Sequence, residues 1–142
     1  MITPATKESN PGPHIVTVTD ETTGSKTQHS FTLEFLDERI SAREFIRRRV
    51  YQEVQDFNTR DLQTYNGLVQ PSDAERTLNG VKLKSGRKLN WETQYAKALE
   101  AFQGNGFIML ANDRQLETLE EEFDLKEGCT VTFLKLVPLV GG

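Results

Sequence analysis

The sequence predicts an α+β fold in which one mixed sheet is packed on a helix. Three observations lead to this prediction. Two segments near the N-terminus, 15–19 and 31–35, alternate apolar and polar residues as half-buried strands do. Two further strand-like segments, 107–111 and 130–136, lie near the C-terminus. Between the two pairs, apolar residues recur at the spacing of one helix face.

The N-terminal segment 1–13 contains three prolines and few apolar residues, which predicts a disordered tail ahead of a folded domain at 14–136. In that domain, the β-branched run at 15–19 predicts the first strand, and the run at 31–35 predicts the second. The polar segment 20–26 lies between them and contains the residue types of a turn. Together these segments predict an N-terminal hairpin.

A capping box, Ser41 with Glu44, predicts the start of the first helix, and Asn58 with Thr59 predicts its end. The apolar stripe of this helix has spacings of four, four and three: Ile46, Val50, Val54 and Phe57. The run Arg47 to Arg49 lies within this stripe, and we interpret it as a solvated face. A docking surface for an acidic partner is the alternative interpretation.

Residues at about 59–104 are predicted to form an insertion with an additional helix, because glycine, proline and asparagine interrupt every periodic pattern in its first half. Val81 to Lys84 alternates briefly and predicts an edge strand, since lysines discourage pairing at a sheet edge. Asn90 is a predicted helix cap and Gly104 a predicted helix end. The residues between them that share one helix face are Trp91, Tyr95, Ala98, Leu99 and Phe102.

Two strands are predicted near the C-terminus. The continuous apolar run Phe107 to Ala111 predicts an inner strand, and Thr130 to Leu136 predicts the last strand. Between them, the acidic segment 116–125 with scattered apolar residues suggests a short helical turn and a loop.

The segment 137–142 is expected to leave the fold as a flexible tail, because Pro138 lacks a backbone N–H and cannot extend a central strand. Its last two residues, Gly141 and Gly142, form a diglycine that ends in a free α-carboxylate. Two residues without Cβ make the tail thin and conformationally free, so that it can thread a narrow enzyme channel and present its carboxylate for chemistry. A frayed polar terminus is the alternative interpretation.

Composition limits the classes of function. The net charge of −4 gives no reason to expect nucleic acid or an anionic membrane as the main partner. No apolar run approaches the roughly 18 residues that span a bilayer, and no secretory signal is recognisable at the N-terminus. The single cysteine, Cys129, excludes an internal disulfide and is typical of a reducing cytosol, so we expect a cytoplasmic protein.

No group of residues predicts catalysis by the chain itself. Cys129 opens the last strand, and we interpret it as a small structural residue. His14 and His29 lie in the hairpin, where neither reads as an adjacent activating base. The sequence shows neither metal-ligand spacing nor a glycine-rich phosphate loop, so we expect no enzyme activity and no bound metal or cofactor.

Two motifs precede the diglycine in a fixed order. The first is Ile108 to Asn112 followed by Gln115 to Glu117, and the second is Thr118-Leu119 followed by Phe123 to Leu125. They are similar to the inner strand of ubiquitin with its Gln-Leu-Glu, and to its Thr-Leu and Tyr-Asn-Ile. The hairpin and the first helix agree in order rather than in letters, and the insertion has no counterpart. The chain thus resembles a divergent bacterial ubiquitin-like protein, which implies a β-grasp fold.

The resemblance implies a protein modifier. An activating enzyme would use ATP and magnesium to adenylate the Gly142 carboxylate, and a conjugating enzyme would pass the resulting thioester to a target lysine. A deubiquitinase-like protease is the third implied partner. Leu139 matches a leucine that docks the tail of ubiquitin into its enzymes, and Pro138 and Val140 complete this recognition tail.

The resemblance also aligns Met109 with the exposed strand isoleucine of the ubiquitin recognition patch. Because Phe107 to Ala111 is apolar throughout, an interaction patch at Met109 is one expectation. The alternative is that the insertion folds over that face, which would make Met109 a core residue.

Two other functions stay open. Glu127-Gly128, Val131, Phe133 and the tail resemble the ends of the molybdopterin and thiamine sulfur carriers, which are also β-grasp proteins. In that case the adenylated Gly142 would become a thiocarboxylate. The third alternative is a non-conjugated ubiquitin-like interaction module, in which the diglycine is incidental.

Overall fold

A computed structural model describes residues 13–24, 28–60, 64–65, 67–71, 75–77, 80–82, 88–126 and 128–136. The chain divides into two compact units. The sheet unit comprises the described residues up to Ala42 and from Gly104 onward, and the helical unit comprises those between Arg43 and Gln103. The predicted N-terminal tail lies outside the described residues except for Pro13, and the predicted C-terminal tail lies wholly outside them.

The secondary structure confirms an α+β protein. In chain order, the described elements are β1 (His14–Thr22), β2 (Gln28–Phe35), β3 (Arg39–Ser41), α1 (Ala42–Arg60), β4 (Thr64–Tyr65), β5 (Glu75–Thr77), β6 (Gly80–Lys82), α2 (Trp91–Gln103), β7 (Phe107–Ala111), β8 (Arg114–Leu116), β9 (Glu122–Asp124) and β10 (Thr130–Lys135).

The main sheet of the sheet unit has five strands in the order β2-β1-β10-β7-β8. The hairpin of β1 and β2 was predicted and is confirmed, with an antiparallel register from His14 opposite Phe35 to Glu21 opposite Gln28. The first strand and the last described strand, β1 and β10, are parallel neighbours, and the remaining pairs are antiparallel. The predicted mixed sheet is therefore present, with β10 at its centre.

One face of this sheet forms the core of the sheet unit. Alternate residues of the three central strands are fully buried, and they share one face because side chains in a strand alternate between faces: Val16, Val18, Met109, Val131 and Phe133. The rings of Phe107 and Phe133 meet edge to face at 5.6 Å. Since Val131 and Phe133 alternate with threonines, the core face of β10 could be identified from the sequence.

The acidic segment after β7 differs from the prediction. Where the sequence suggested a helical turn and a loop, the structure has β8, a turn and β9, and β9 pairs with β3 in a second, two-stranded sheet. Backbone hydrogen bonds from Ala42 to the Glu121 carbonyl (2.8 Å) and from Leu125 to the Glu38 carbonyl (2.9 Å) extend this contact. β9 pairs with the distant β3, whereas β8 pairs with the adjacent β7, and a strand of three residues is too short to show a period.

The helical unit contains most of α1, all of α2 and a sheet in the order β4-β6-β5. The predicted cap of α2 is confirmed, because Asn90 Oδ1 accepts a hydrogen bond from the Thr93 N–H at 2.9 Å. The left-handed residue that follows α2 is Asn105 (φ 61°), one position after the predicted Gly104. The edge strand predicted at Val81 to Lys84 is β6, and it lies in the centre of its sheet. The described residues include no helix that is both long enough and apolar enough to cross a membrane.

Candidate functional site

The predicted conjugation residues Gly141 and Gly142, and the recognition tail Pro138, Leu139 and Val140, lie outside the described residues. The structure does describe the point from which they continue, the end of β10. We call the residues Lys135 and Leu136 the tail root.

The tail root is held on both sides. The Lys135 carbonyl accepts a hydrogen bond from the Thr23 N–H at 3.0 Å, just beyond β1. The Leu136 N–H donates to the Gly106 carbonyl at 3.0 Å, just before β7. The Lys135 ammonium lies 3.9 Å from the Asp20 carboxylate. Because β10 is the central strand, the position and direction of the chain at Leu136 are set by two neighbouring strands.

Met109 does not form an exposed patch. Its side chain is 0% exposed, and in the sheet it lies opposite Phe133 on one side and Leu116 on the other. Phe107 and Ala111 are buried on the same face. The prediction of an exposed patch at Met109 is therefore wrong, because its side chain is buried in the sheet unit. Since side chains in a strand change face at every residue, an alignment that slips by one residue exchanges the core face for the surface.

The opposite face of the sheet is partly exposed and apolar near the tail root. Ile108 and Leu110 of β7 lie opposite Leu134 and Thr132 of β10, and all four are partly exposed. We call Ile108, Leu110 and Leu134 the sheet-face strip. Leu134 lies two residues before Leu136, so the strip adjoins the tail root. The sheet-face strip was not predicted from the sequence, although the Thr-Val-Thr-Phe alternation of β10 already indicates which face points inward.

A surface pocket of about 290 Å³ lies beside the turn between β7 and β8. Arg39 lines it and donates hydrogen bonds to Glu122 at 2.9 Å and to Asp124 at 2.5 Å, which raise the pKa of the Arg39 guanidinium. Arg114, also in the lining, donates to Glu121 at 2.8 Å. These ion pairs compensate the exposed charges of Arg39 and Arg114, Lys126 adds a further cation to the lining, and the lining contains no histidine or cysteine.

The residues with nucleophile or base chemistry are separated in the sheet unit. Cys129 is buried, and burial raises the pKa of its thiol, which disfavours the nucleophilic thiolate. His14 is buried at one end of the hairpin, whereas His29 is exposed at the other end and contacts the Phe31 ring at 5.8 Å. Within the described ranges, no group of three or more histidine, cysteine or acidic side chains could hold a metal ion.

The arginine run on α1 differs from the prediction at one position. Arg49 is fully buried and donates a hydrogen bond to Glu53 at 2.9 Å, so the solvated-face interpretation is wrong for this residue. Arg47 and Arg48 are partly exposed and both bind Glu44. The burial of Arg49 could have been predicted from the sequence spacing. Arg49 follows Ile46 by three residues and therefore lies on the apolar stripe of α1.

Comparison of the chain with protein-family models and with curated proteins finds no match. A function must therefore be assigned from the chain itself. The features used are the sheet order, the tail root, the sheet-face strip and the tail residues that follow in the sequence.

Proposed function

We propose that this chain is a ubiquitin-like protein modifier of β-grasp fold that is joined through Gly142 to amines of target proteins. The observation that carries the proposal is the strand order β2-β1-β10-β7-β8, with β10 central and parallel to β1. In this arrangement the strand that leads into Gly141 and Gly142 is supported on both sides, so a tail can be presented from a fixed root.

The chemistry of the proposal is acyl activation by other enzymes. In an activating enzyme that binds ATP and magnesium, the Gly142 carboxylate attacks the α-phosphorus of ATP, which releases pyrophosphate and gives a mixed anhydride that is a better acyl donor. A cysteine of the activating enzyme attacks this anhydride, releases AMP and forms a thioester, and a cysteine of a conjugating enzyme then takes over the acyl group and frees the first thiol. A lysine amine of the target finally attacks the second thioester, which releases the cysteine thiol and forms an isopeptide bond. The chain itself acts as a substrate and carrier, not as an enzyme.

The sheet-face strip supports the proposal by supplying a recognition surface. An apolar strip beside the tail root allows one enzyme to contact the folded domain and the tail together. We assign it this role, in place of Met109. Leu139, with Pro138 and Val140, is proposed to dock in the channel of the same enzyme. A deubiquitinase-like protease would recognise the same elements and cleave after Gly142. The reactions are proposed to take place in the bacterial cytoplasm.

Mass spectrometry tests the proposal. The chain is expressed with an N-terminal tag in its native host, and proteins linked to it are purified under denaturing conditions. Because trypsin cuts after Lys135, a modified target lysine would carry Leu136 to Gly142 as a branched remnant. A variant that lacks Gly142 should yield no such remnant. Absence of the remnant in the presence of the activating enzymes would contradict the proposal.

The same experiment addresses the sulfur-carrier alternative. The turn before β10 favours it, because Gly128 adopts a left-handed φ of 81° in the Glu127-Gly128 pair. A free chain in which sulfur has replaced one oxygen of the Gly142 carboxylate would identify a sulfur carrier. If the chain shows neither change, and if partner proteins still bind a variant that lacks Gly141 and Gly142, the chain is a non-conjugated interaction module.

A further inference from the structure

Three aromatic side chains meet at the surface of the helical unit. Tyr51 of α1 contacts Trp91 at the start of α2 edge to face, with ring centroids 5.3 Å apart. Tyr95, one turn further along α2, lies 6.1 Å from Trp91. The Tyr51 side chain is 41% exposed, and Trp91 and Tyr95 are partly exposed. We call Tyr51, Trp91 and Tyr95 the aromatic surface.

Positive charge adjoins the aromatic surface. Arg47 precedes Tyr51 by four residues and therefore lies on the same face of α1. One oxygen of the Glu44 carboxylate accepts hydrogen bonds from both Arg47 (2.6 Å) and Arg48 (2.8 Å). Hydrogen bonding to Glu44 raises the pKa of the Arg47 guanidinium, which therefore stays a cation. Among these three charged side chains, two positive charges oppose one negative charge.

The two units also differ in net charge. Residues 43–103 contain 11 lysines and arginines against 8 acidic residues, which gives a formal charge of +3. The rest of the chain contains 6 against 13, which gives −7. A basic unit within an acidic chain attracts negatively charged partners to one part of the molecule.

We propose that the aromatic surface, together with Arg47, is a docking site for an acidic segment of a protein partner that also carries an apolar side chain. Tryptophan, tyrosine and arginine are the residues that most often dominate binding energy at protein interfaces. The rings offer apolar faces to the partner's side chain. The net positive charge of the helical unit attracts carboxylates and speeds encounter. The proposed site includes no residue of the tail and does not depend on Gly142.

An acidic protein segment fits these observations better than a nucleic acid does. Proteins that bind nucleic acids typically neutralise several phosphates with separate cations. Here Arg47 and Arg48 share one carboxylate, so their net charge among the three groups is a single positive charge. A segment with a few carboxylates and an apolar anchor matches both the modest charge and the aromatic faces.

A selection experiment tests the site without knowledge of the natural partner. A displayed library of random dodecapeptides is selected against the full chain, and the enriched peptides are titrated in solution. Trp91 is the only tryptophan of the chain, so its fluorescence reports binding at the proposed site directly. We expect enriched peptides to combine acidic residues with an apolar residue and to change the Trp91 emission.

Three variants locate the binding. Arg47→Gln and Tyr51→Ala alter exposed side chains, and each should weaken the selected peptides about tenfold. Lys126→Gln removes the same charge from an exposed position of the sheet unit and should leave the affinity unchanged. Failure to enrich acidic peptides, binding that survives both variants, or tighter binding of a single-stranded oligonucleotide of equal charge would overturn the proposal.

Discussion

In the sheet unit, buried apolar side chains cover one face of a five-stranded sheet, and most backbone polar groups of the strands pair with one another. The helical unit instead buries Arg49 and Gln94, and polar side chains hold its connecting segment. Glu53 accepts from the Leu68 N–H at 3.1 Å, and Gln94 donates to the Val69 carbonyl at 3.3 Å. Asn58 both donates to the Leu89 carbonyl and accepts from the Leu89 N–H.

Because of this difference, we expect different kinds of substitution to destabilise the two units. In the sheet unit, loss of a buried apolar group leaves a cavity, whose cost depends on its volume. In the helical unit, loss of one polar partner leaves a buried charge or backbone group without compensation, and this costs more than the net value of the bond itself.

The largest effect is expected for Glu53→Gln in the helical unit. The substitution removes the negative charge that Glu53 places beside the fully buried Arg49 guanidinium and should lower the free energy of unfolding by about 3–5 kcal/mol. Urea denaturation followed by Trp91 fluorescence measures it. Asp56→Asn is the matched control, because it removes the charge of an exposed carboxylate that accepts a hydrogen bond from Gln52 on the same helix, and it should cost less than about 0.5 kcal/mol. Equal effects of the two variants would contradict the importance of the buried pair.

A smaller but still large effect is expected for Met109→Ala in the sheet unit. The cavity left by this fully buried side chain should cost about 2–4 kcal/mol in urea denaturation. Leu110→Ala, on the adjacent but partly exposed position, should cost less than about 1 kcal/mol. If the proposed function is correct, Leu110→Ala should instead slow thioester formation by the activating enzyme. A reversal of the two stability effects would show that the assigned faces are wrong.

A gain in stability is expected in the turn between β7 and β8. Asp113 adopts a left-handed φ of 69°, which an Asp side chain disfavours, so Asp113→Gly should raise the free energy of unfolding by about 0.5–1 kcal/mol. Asn112 is left-handed as well (φ 50°), but its Oδ1 accepts from the Thr130 N–H at 3.0 Å. Asn112→Gly removes this bond and should give no gain. Thermal denaturation of the two variants distinguishes strain from hydrogen bonding.

The smallest effect is a pH dependence in α1. Hydrogen bonds from Arg47 lower the pKa of Glu44 below its ordinary value of 4.5. The ionised carboxylate therefore stabilises the fold above that value, and the contribution disappears as the pH falls through the lower pKa of the folded state. Because the pair is partly exposed, Glu44→Gln should cost only about 0.5 kcal/mol at neutral pH. Urea denaturation at neutral and strongly acidic pH should show the two proteins converging; a constant difference would contradict this account.

Much of the fold could be predicted from local sequence. The β1–β2 hairpin, α1, the Asn90 cap of α2 and the inner strand β7 follow from periodicity and from residues that act within a few positions of one another. The short strands β3, β8 and β9 could not be predicted in this way. β3 and β9 pair with each other across residues as distant as Arg39 and Asp124. β8 pairs with the neighbouring β7, but three residues are too few to show a period.

The candidate site also has features that could be predicted from the sequence and features that could not. The diglycine and the tail residues are visible in the sequence, but the surface that accompanies them is not. A resemblance placed Met109 on the surface, and the register of β7 against β10 instead assigns the exposed positions to Ile108 and Leu110. The aromatic surface could not be predicted from local sequence, because Tyr51 and Trp91 are 40 positions apart in the chain.

The sequence alone predicts the longer elements, which are the β1–β2 hairpin, α1, α2 with its Asn90 cap, β7 and β10, because those features depend on spacing and on residue type along the chain. Tertiary structure decided that β10 lies at the centre of the sheet, that Met109 and Arg49 are buried, and that Tyr51 and Trp91 meet at a surface. Each of these depends on which distant segment becomes a neighbour, since pairing and burial are set by contacts across the chain rather than along it.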